Sequence, residues 1–364
     1  MASAKRARNW LATSRRSMDH SHCVVSRIQQ FGIFPNTSTR CAHRRHLFKT
    51  TPTLCRKIND PRVGAMSGEK ARLEAPTWMV WLLSHGGWLL LTWHYDALPW
   101  WLVLPLGAWL VAWQNSFQHE AVHGHPSGRP WLDTALAAWP LGLWMPFGCY
   151  RESHLRHHAV AELAKPGVDP ESFYVTPEDW HRRGPLGRAL LTVNQTLAGR
   201  LVLGPVLVAL RFWQTEVQML IAGDTRHLGA WALHVALAAP LLVWVVGVCD
   251  IPLAAYVALF AYSGLSLTLL RSFNEHRLAV EPAERTIINE GGPLTRLLFL
   301  NNNLHALHHA QPALPWYELP EQYRHQRAAL LSENGSYCVK GYGAVAWAHG
   351  LRPKDSPIFP GGSS

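Results

Sequence analysis

Four stretches of this sequence contain no Asp, Glu, Lys or Arg: residues 77–95, 98–117, 228–249 and 251–270. A helix needs about 20 apolar residues to cross a bilayer. Backbone groups in lipid must be satisfied within the segment, which makes each stretch a predicted helix. The first pair is joined through "DALPW" and the second through "DIP". Joins this short predict two tight hairpins. Their tips carry Asp96 and Asp250 and no Lys or Arg. If only these four stretches span, every Lys and Arg after Met66 lies on the opposite side. The positive-inside rule makes that side, with both termini, cytoplasmic. The expected fold is an all-α membrane protein, with four transmembrane helices in two hairpins and a cytoplasmic histidine-rich helical cap.

Two further apolar stretches are different. Residues 131–147 are interrupted by Pro140 and Pro146, and residues 186–213 carry Arg188, Arg200 and Arg211. Both read as re-entrant or interfacial helices. A true span over 131–147 would put the flanking histidine motifs on opposite faces, roughly 30 Å apart.

Composition agrees with a membrane protein. The chain is 48% hydrophobic and 16% charged, with 18 Trp. The formal charge of +10 is misleading, because residues 1–65 hold 13 basic and 2 acidic residues. The rest is nearly neutral, so the body gives no reason to expect nucleic acid. Residues 1–65 are Arg-rich and acid-poor, without the apolar run of a secretory signal. They read as a disordered basic leader, either an organelle transit peptide or an extension upstream of a start at Met66. The membrane domain is then 66–364. Cys149, Cys249 and Cys338 are far apart, with no C-x-x-C. That predicts neither a disulfide framework nor a cysteine metal site.

The chemistry lies in the histidines. His119 and His123 form H-x-x-x-H where the second span ends. His154, His157 and His158 form H-x-x-H-H, as do His305, His308 and His309. His276 follows the fourth span directly. On a helix, positions i, i+3 and i+4 share a face, so each motif is expected to aim its imidazoles at one point. Nine imidazoles converging on one membrane face suit two metal ions, with four or five nitrogens each. His125 lies two residues beyond His123 and off that face. His85, His94 and His234 lie within spans and read as packing or interfacial residues.

His119-Glu120-Ala121-Val122-His123 also fits the H-E-x-x-H signature of zinc metalloproteases. That reading leaves the two other motifs unexplained. Taken together, the motifs resemble the integral-membrane fatty acid desaturase superfamily over about residues 77–316. The resemblance implies that the three boxes hold a non-haem di-iron centre, two Fe ions that use O2 to remove hydrogen from an alkyl chain. It implies His119, His123, His154, His157, His158, His305, His308 and His309 as ligands, and His276 as the additional ligand after the fourth span. No catalytic residue beyond the metal ligands is implied. The choice of iron rests on the resemblance, since imidazole also suits zinc, copper and nickel. The substrate implied is a lipid or fatty acyl chain entering from the bilayer, and the product a new double bond. Hydroxylases and ketolases of carotenoids or alkyl lipids share the boxes and remain the alternative.

No His-Pro-Gly-Gly haem signature is present. Electrons are therefore expected from an external donor of the ferredoxin, rubredoxin or cytochrome b5 type. Arg182, Arg183 and Arg188 could dock such a donor, or face lipid headgroups. Candidates to orient the rings are Glu120, Glu152, Glu275 and residues 301–303. Asp169 and Glu171 are expected to cap or hydrogen-bond nearby structure.

Overall fold

A computed structural model describes residues 74–360. The leader at 1–65 and the Met66 start lie outside the described residues. The chain is predominantly helical. Helices α1 (Ala75–Trp93) and α2 (Trp100–Val122) form a hairpin through a 3-10 turn at Tyr95–Ala97. Helix α2 runs past the charge-free stretch and into the first histidine motif. Next come α3 (Pro130–Ala137), α4 (Phe147–Ala159), α5 (Pro177–Arg182), α6 (Pro185–Asn194), α7 (Leu197–Val202) and α8 (Gly204–Ile221). A second hairpin joins α9 (Leu228–Val248) to α10 (Leu253–Glu275). Asp250 makes the reversal in the left-handed region, at φ 51°.

These last two helices are long and apolar enough to cross a membrane. Helices α1 and α2 reach the length but, being rich in Trp, Gly and His, not the same hydropathy. All four present exposed apolar side chains, among them Leu83 and Leu90, Trp100 and Leu106, Val235 and Val243, and Leu253 and Val257. Faces of this kind are stable against hydrocarbon rather than water. The stretch 131–147 forms no single helix. Its eight-residue α3 gives way to irregular chain before α4 begins. The stretch 186–213 divides among α6, α7 and the start of α8.

Local sequence explains several starts. Proline occupies the first or second position of α3, α5, α6 and α8, where its missing N–H costs nothing. Thr176 and Thr196 cap α5 and α7 by accepting from the Asp179 and Gly199 amides.

After α10 the chain forms β1 (Ile288–Asn289), α11 (Pro293–Leu298), α12 (His305–Ala310), α13 (Leu319–Glu333), β2 (Cys338–Val339) and α14 (Gly341–His349). Strands β1 and β2 pair in parallel, Ile288 with Cys338 and Asn289 with Val339. This two-residue ladder is a small addition to the expected all-helical cap. It ties the segment beyond α13 to the approach of the third histidine motif.

The site rests on how closely α2 and α10 pack. A Cβ on Gly264 would lie 2.5 Å from Val111 Cβ, and one on Gly107 would lie 2.8 Å from the Leu259 carbonyl oxygen. Small residues let apolar helices approach in this way. A buried polar chain also ties α10 to α1 and to the chain before α4. Trp88 Nε1 donates to Tyr256 Oη at 3.0 Å, and Tyr256 donates to the Leu141 carbonyl at 2.8 Å. Gly264→Val should force α2 and α10 apart and cost about 1–3 kcal/mol, as overpacking does. Thermal unfolding in detergent would show a lowered midpoint. An unchanged midpoint would mean that this crossing does not limit stability.

Candidate metal centre

Four elements deliver the nine histidines. Helix α2 carries His119 in its last turn, and His123 caps it. Helix α4 carries His154, His157 and His158, and α12 carries His305, His308 and His309. His276 directly follows α10, in extended conformation. The described structure gathers them into two groups. His119, His123, His154, His158 and His308 form one; His157, His276, His305 and His309 form the other. Within each group every histidine offers one ring nitrogen that lies within 4.8 Å of those of the others.

The division does not follow the motifs. In each H-x-x-H-H the i and i+4 rings share a group, and the i+3 ring joins the other. His154 and His158 part from His157 in this way, and His305 and His309 part from His308. Successive residues turn by about 100°, so positions i+3 and i+4 diverge by that angle. The expectation that each motif aims three rings at one point is corrected accordingly.

The four-histidine group is the more regular. Its Nε2 atoms form a closed circuit, His157–His276–His305–His309, with sides of 3.1, 3.1, 3.1 and 3.2 Å. A point among four nitrogens with sides of this length lies about 2 Å from each, close to the roughly 2.0–2.1 Å of a zinc–imidazole bond. In the five-histidine group, His158 Nε2 lies 3.1 Å from His154 Nε2 and 3.0 Å from His308 Nε2. His123 Nε2 is buried without a partner. A buried orphan nitrogen is costly unless something binds it.

Outward hydrogen bonds set the tautomers. His157 Nδ1 donates to Asp169 at 2.8 Å, His154 Nδ1 to Glu171 at 3.0 Å, and His305 Nδ1 to Asn302 Oδ1 at 3.1 Å. With the proton on Nδ1, each Nε2 turns a lone pair inward. Several lone pairs facing one point repel unless a cation sits among them, so this donor set fits a metal ion. Without an ion, a proton is the nearest substitute. Burial opposes charge on His157, yet Glu171 and Asp169 raise its pKa to about 9.

Both carboxylates come from the loop after α4. Asp169 accepts from the Ala164 and Glu171 amides, at 2.7 and 2.8 Å, which fixes it against His157. Asn302 links the two groups, because its Nδ2 lies 3.2 Å from His119 Nε2. Glu275 lies 3.7 Å from His305 Nδ1 and pairs with Arg271 at 2.8 Å. Glu120 stands 3.4 Å from His119 Nδ1 and accepts from the Trp316 amide at 3.2 Å. Its carboxylate thus holds the chain beyond the third motif.

A family model described as fatty acid desaturase matches residues 95–341. The chain belongs to the fatty acid desaturase family. All nine clustered histidines fall within the matched residues. Membership makes the protein an oxidoreductase of lipid metabolism, with a lipid substrate. No curated protein matches this family member.

Several candidates lie elsewhere in this desaturase-family chain. His125 turns to Glu74, with Nδ1 at 2.8 Å, and takes no part in either group. His234 bonds the Leu143 carbonyl at 3.0 Å. His85 stays on its own helix, against the Trp81 carbonyl. Glu152 bonds His227 rather than a clustered ring. Asn301 bonds the Trp316 carbonyl and Asn303 the Asn289 carbonyl, which leaves Asn302 as the member of that run that touches the histidines.

Sequence reasoning missed a third group, Cys149, Glu216 and His227. No spacing motif signals it, because α4, α8 and the start of α9 each supply one residue. His227 lies between two carboxylates, with Nδ1 2.9 Å from Glu216 and Nε2 3.0 Å from Glu152. Trp231 Nε1 donates to Glu216 as well. These groups satisfy one another and need no ion.

Proposed function

We propose that this chain is a multi-pass membrane desaturase that uses a di-iron centre and O2 to introduce a double bond into a fatty acyl or related lipid chain. The observation that carries this reading is the pair of histidine groups, five and four, each gathering one ring nitrogen from every member within 4.8 Å of the others. His119, His123, His154, His158 and His308 would hold one iron; His157, His276, His305 and His309 would hold the other. The bound pair supplies O2 activation and hydrogen removal from an unactivated alkyl chain, with electrons from an external ferredoxin, rubredoxin or cytochrome b5 type donor. The protein's part is positioning. Asp169, Glu171 and Asn302 fix the tautomer and tilt of His157, His154 and His305. Burial keeps His119, His154, His305 and His308 away from bulk water.

Four spans, with both termini and the histidine cap cytoplasmic, complete the proposal. Support comes from the two helices long and apolar enough to span, the exposed apolar faces of α1 and α2, and the absence of Lys and Arg from the two hairpin tips.

The test is expression of residues 66–364 in a host whose lipids are then profiled, together with metal analysis of the purified protein. The expected result is a new acyl species lighter by two hydrogens and about two irons per chain. Products gaining one oxygen would indicate a hydroxylase or ketolase on the same fold. A single zinc in a fully active protein would sink the di-iron reading.

A further inference from the structure

His276 differs from the other rings of its group. It belongs to no H-x-x-H-H motif and lies off the end of a helix. Its Nδ1 is buried and has no partner. His157 and His305 are steered through Nδ1 by Asp169 and Asn302, but nothing steers the His276 ring in that way. Its aim therefore depends on where the backbone is held.

That backbone is bridged to Thr286, with the Ile287 amide donating to the Glu275 carbonyl and the Arg277 amide to the Arg285 carbonyl, both at 3.1 Å. The His276 carbonyl itself is held by one side chain from a distant part of the sequence. Lys354 Nζ donates to the His276 carbonyl. The side chain is only 7% exposed. Its ammonium lies at the C-terminal end of α10, where the helix dipole favours a cation. Lys354 Nζ also pairs with Asp355 at 3.4 Å and lies 5.5 Å from the Phe273 ring centre.

The segment around Lys354 is pinned like a strap. The Lys354 amide donates to the Gln195 carbonyl at 2.8 Å. Tyr174 Oη donates to Asp355 at 2.6 Å. The Val175 amide donates to the Pro357 carbonyl, and the Phe359 amide to the Val175 carbonyl, at 3.0 and 2.9 Å. The strap thus fastens onto the chain just after Asp169 and Glu171. It lies beyond residue 341, where the family match ends.

We propose that Lys354, presented by this strap, is a positioning residue that sets His276 into the four-histidine group. This rests on the reading of that group as a metal site. Loss of Lys354 releases the His276 carbonyl and leaves the bridge to Thr286 as the tie on that main chain, and the affinity of this group falls while that of the five-histidine group stays.

Purified protein, Lys354→Met, Lys354→Arg and Tyr174→Phe would be titrated with ferrous iron in detergent, and unfolding of each metal-free form recorded. The unaltered protein should bind two ions. Lys354→Met should bind one at normal affinity and the second about tenfold or more weakly. Lys354→Arg should restore most of the second. Tyr174→Phe, which loosens the strap and leaves Lys354 intact, should fall between, and it carries the test if Lys354→Met does not fold. Two ions at unaltered affinity in Lys354→Met, or in Tyr174→Phe where that variant stands alone, would overturn the inference. So would parallel loss of both ions with a lowered unfolding midpoint, which marks a merely structural role. An unaltered protein that binds no ion, or one, would defeat the two-metal reading itself, whatever the variants do.

Discussion

Replacing His157, His276 or His309 with alanine is expected to abolish turnover and to lower the metal content from about two ions per chain to about one. The three residues are far apart in sequence, yet their Nε2 atoms are neighbours at 3.1–3.2 Å. Removing one leaves three nitrogens where four surrounded a point, and opens a gap that water would fill. Binding weakens and the electronic properties of any remaining ion change. His154→Ala and His308→Ala remove members of the five-histidine group, and should abolish turnover while sparing the other ion. His125→Ala and His234→Ala are the controls. The first loses a contact to Glu74 and the second one to the Leu143 carbonyl, so both should keep two ions and substantial activity. Elemental analysis beside a turnover assay separates these outcomes. Full activity in His276→Ala would remove that residue from the site, and full activity in His154→Ala or His309→Ala would break the two-metal reading.

Much of this arrangement was legible because the histidine motifs combine helix period with chemistry. H-x-x-x-H and H-x-x-H-H put imidazoles on adjoining helix faces, and the ends of the apolar stretches bring those faces together. Periodicity alone could not divide the rings between two groups. That depends on the 100° step between His157 and His158, and between His308 and His309, and on the angles at which α4 and α12 meet. The orienting partners were harder still. Asp169 and Glu171 sit in a loop, where no period links them to His157 and His154. Asn302 could not be distinguished from Asn301 and Asn303, because the left-handed backbone at Leu300 and Asn301, at φ 48° and 56°, decides which amide turns inward. Lys354 carries no local sign of its role, since its contact with His276 spans 78 positions. The two hairpins were visible from charge-free length and short joins. The irregular chain after α3 was foreshadowed only by Pro140 and Pro146.

The metal-free protein should lose stability steeply as pH falls below about 6.5. Burial is the first cause, and neighbouring imidazoles the next, of a pKa lowered to about 2 for His158 and about 3 for His276. The same causes hold His123, His305, His308 and His309 well below the ordinary histidine value. In the unfolded chain these rings titrate near 6.5. Below that pH the unfolded chain takes up protons that the folded chain refuses, so acid favours unfolding. The loss runs from about pH 6.5 down towards pH 2–3. His157 acts in the opposite sense. Its raised pKa contributes stability that is fully present below about 6.5 and is lost as pH rises through about 9. One ring stabilised at low pH does not offset six that are not. Each destabilised group contributes about 1.4 kcal/mol per pH unit within its window, so even three would remove about 4 kcal/mol per unit. A whole domain is stable by only about 5–15 kcal/mol. Bound ions shift the curve without changing its sign, because they require the same neutral imidazoles and protons compete for them. Helicity during thermal unfolding, at pH 7.5 and at pH 5.5, would read the effect in detergent. A large drop in midpoint at the lower pH is expected, with release of metal from the loaded protein. Equal midpoints at the two values would mean that folded and unfolded chains take up the same number of protons over this range, so that the clustered rings titrate in the fold as they do in the unfolded chain, and the refusal of protons argued from their burial would be wrong.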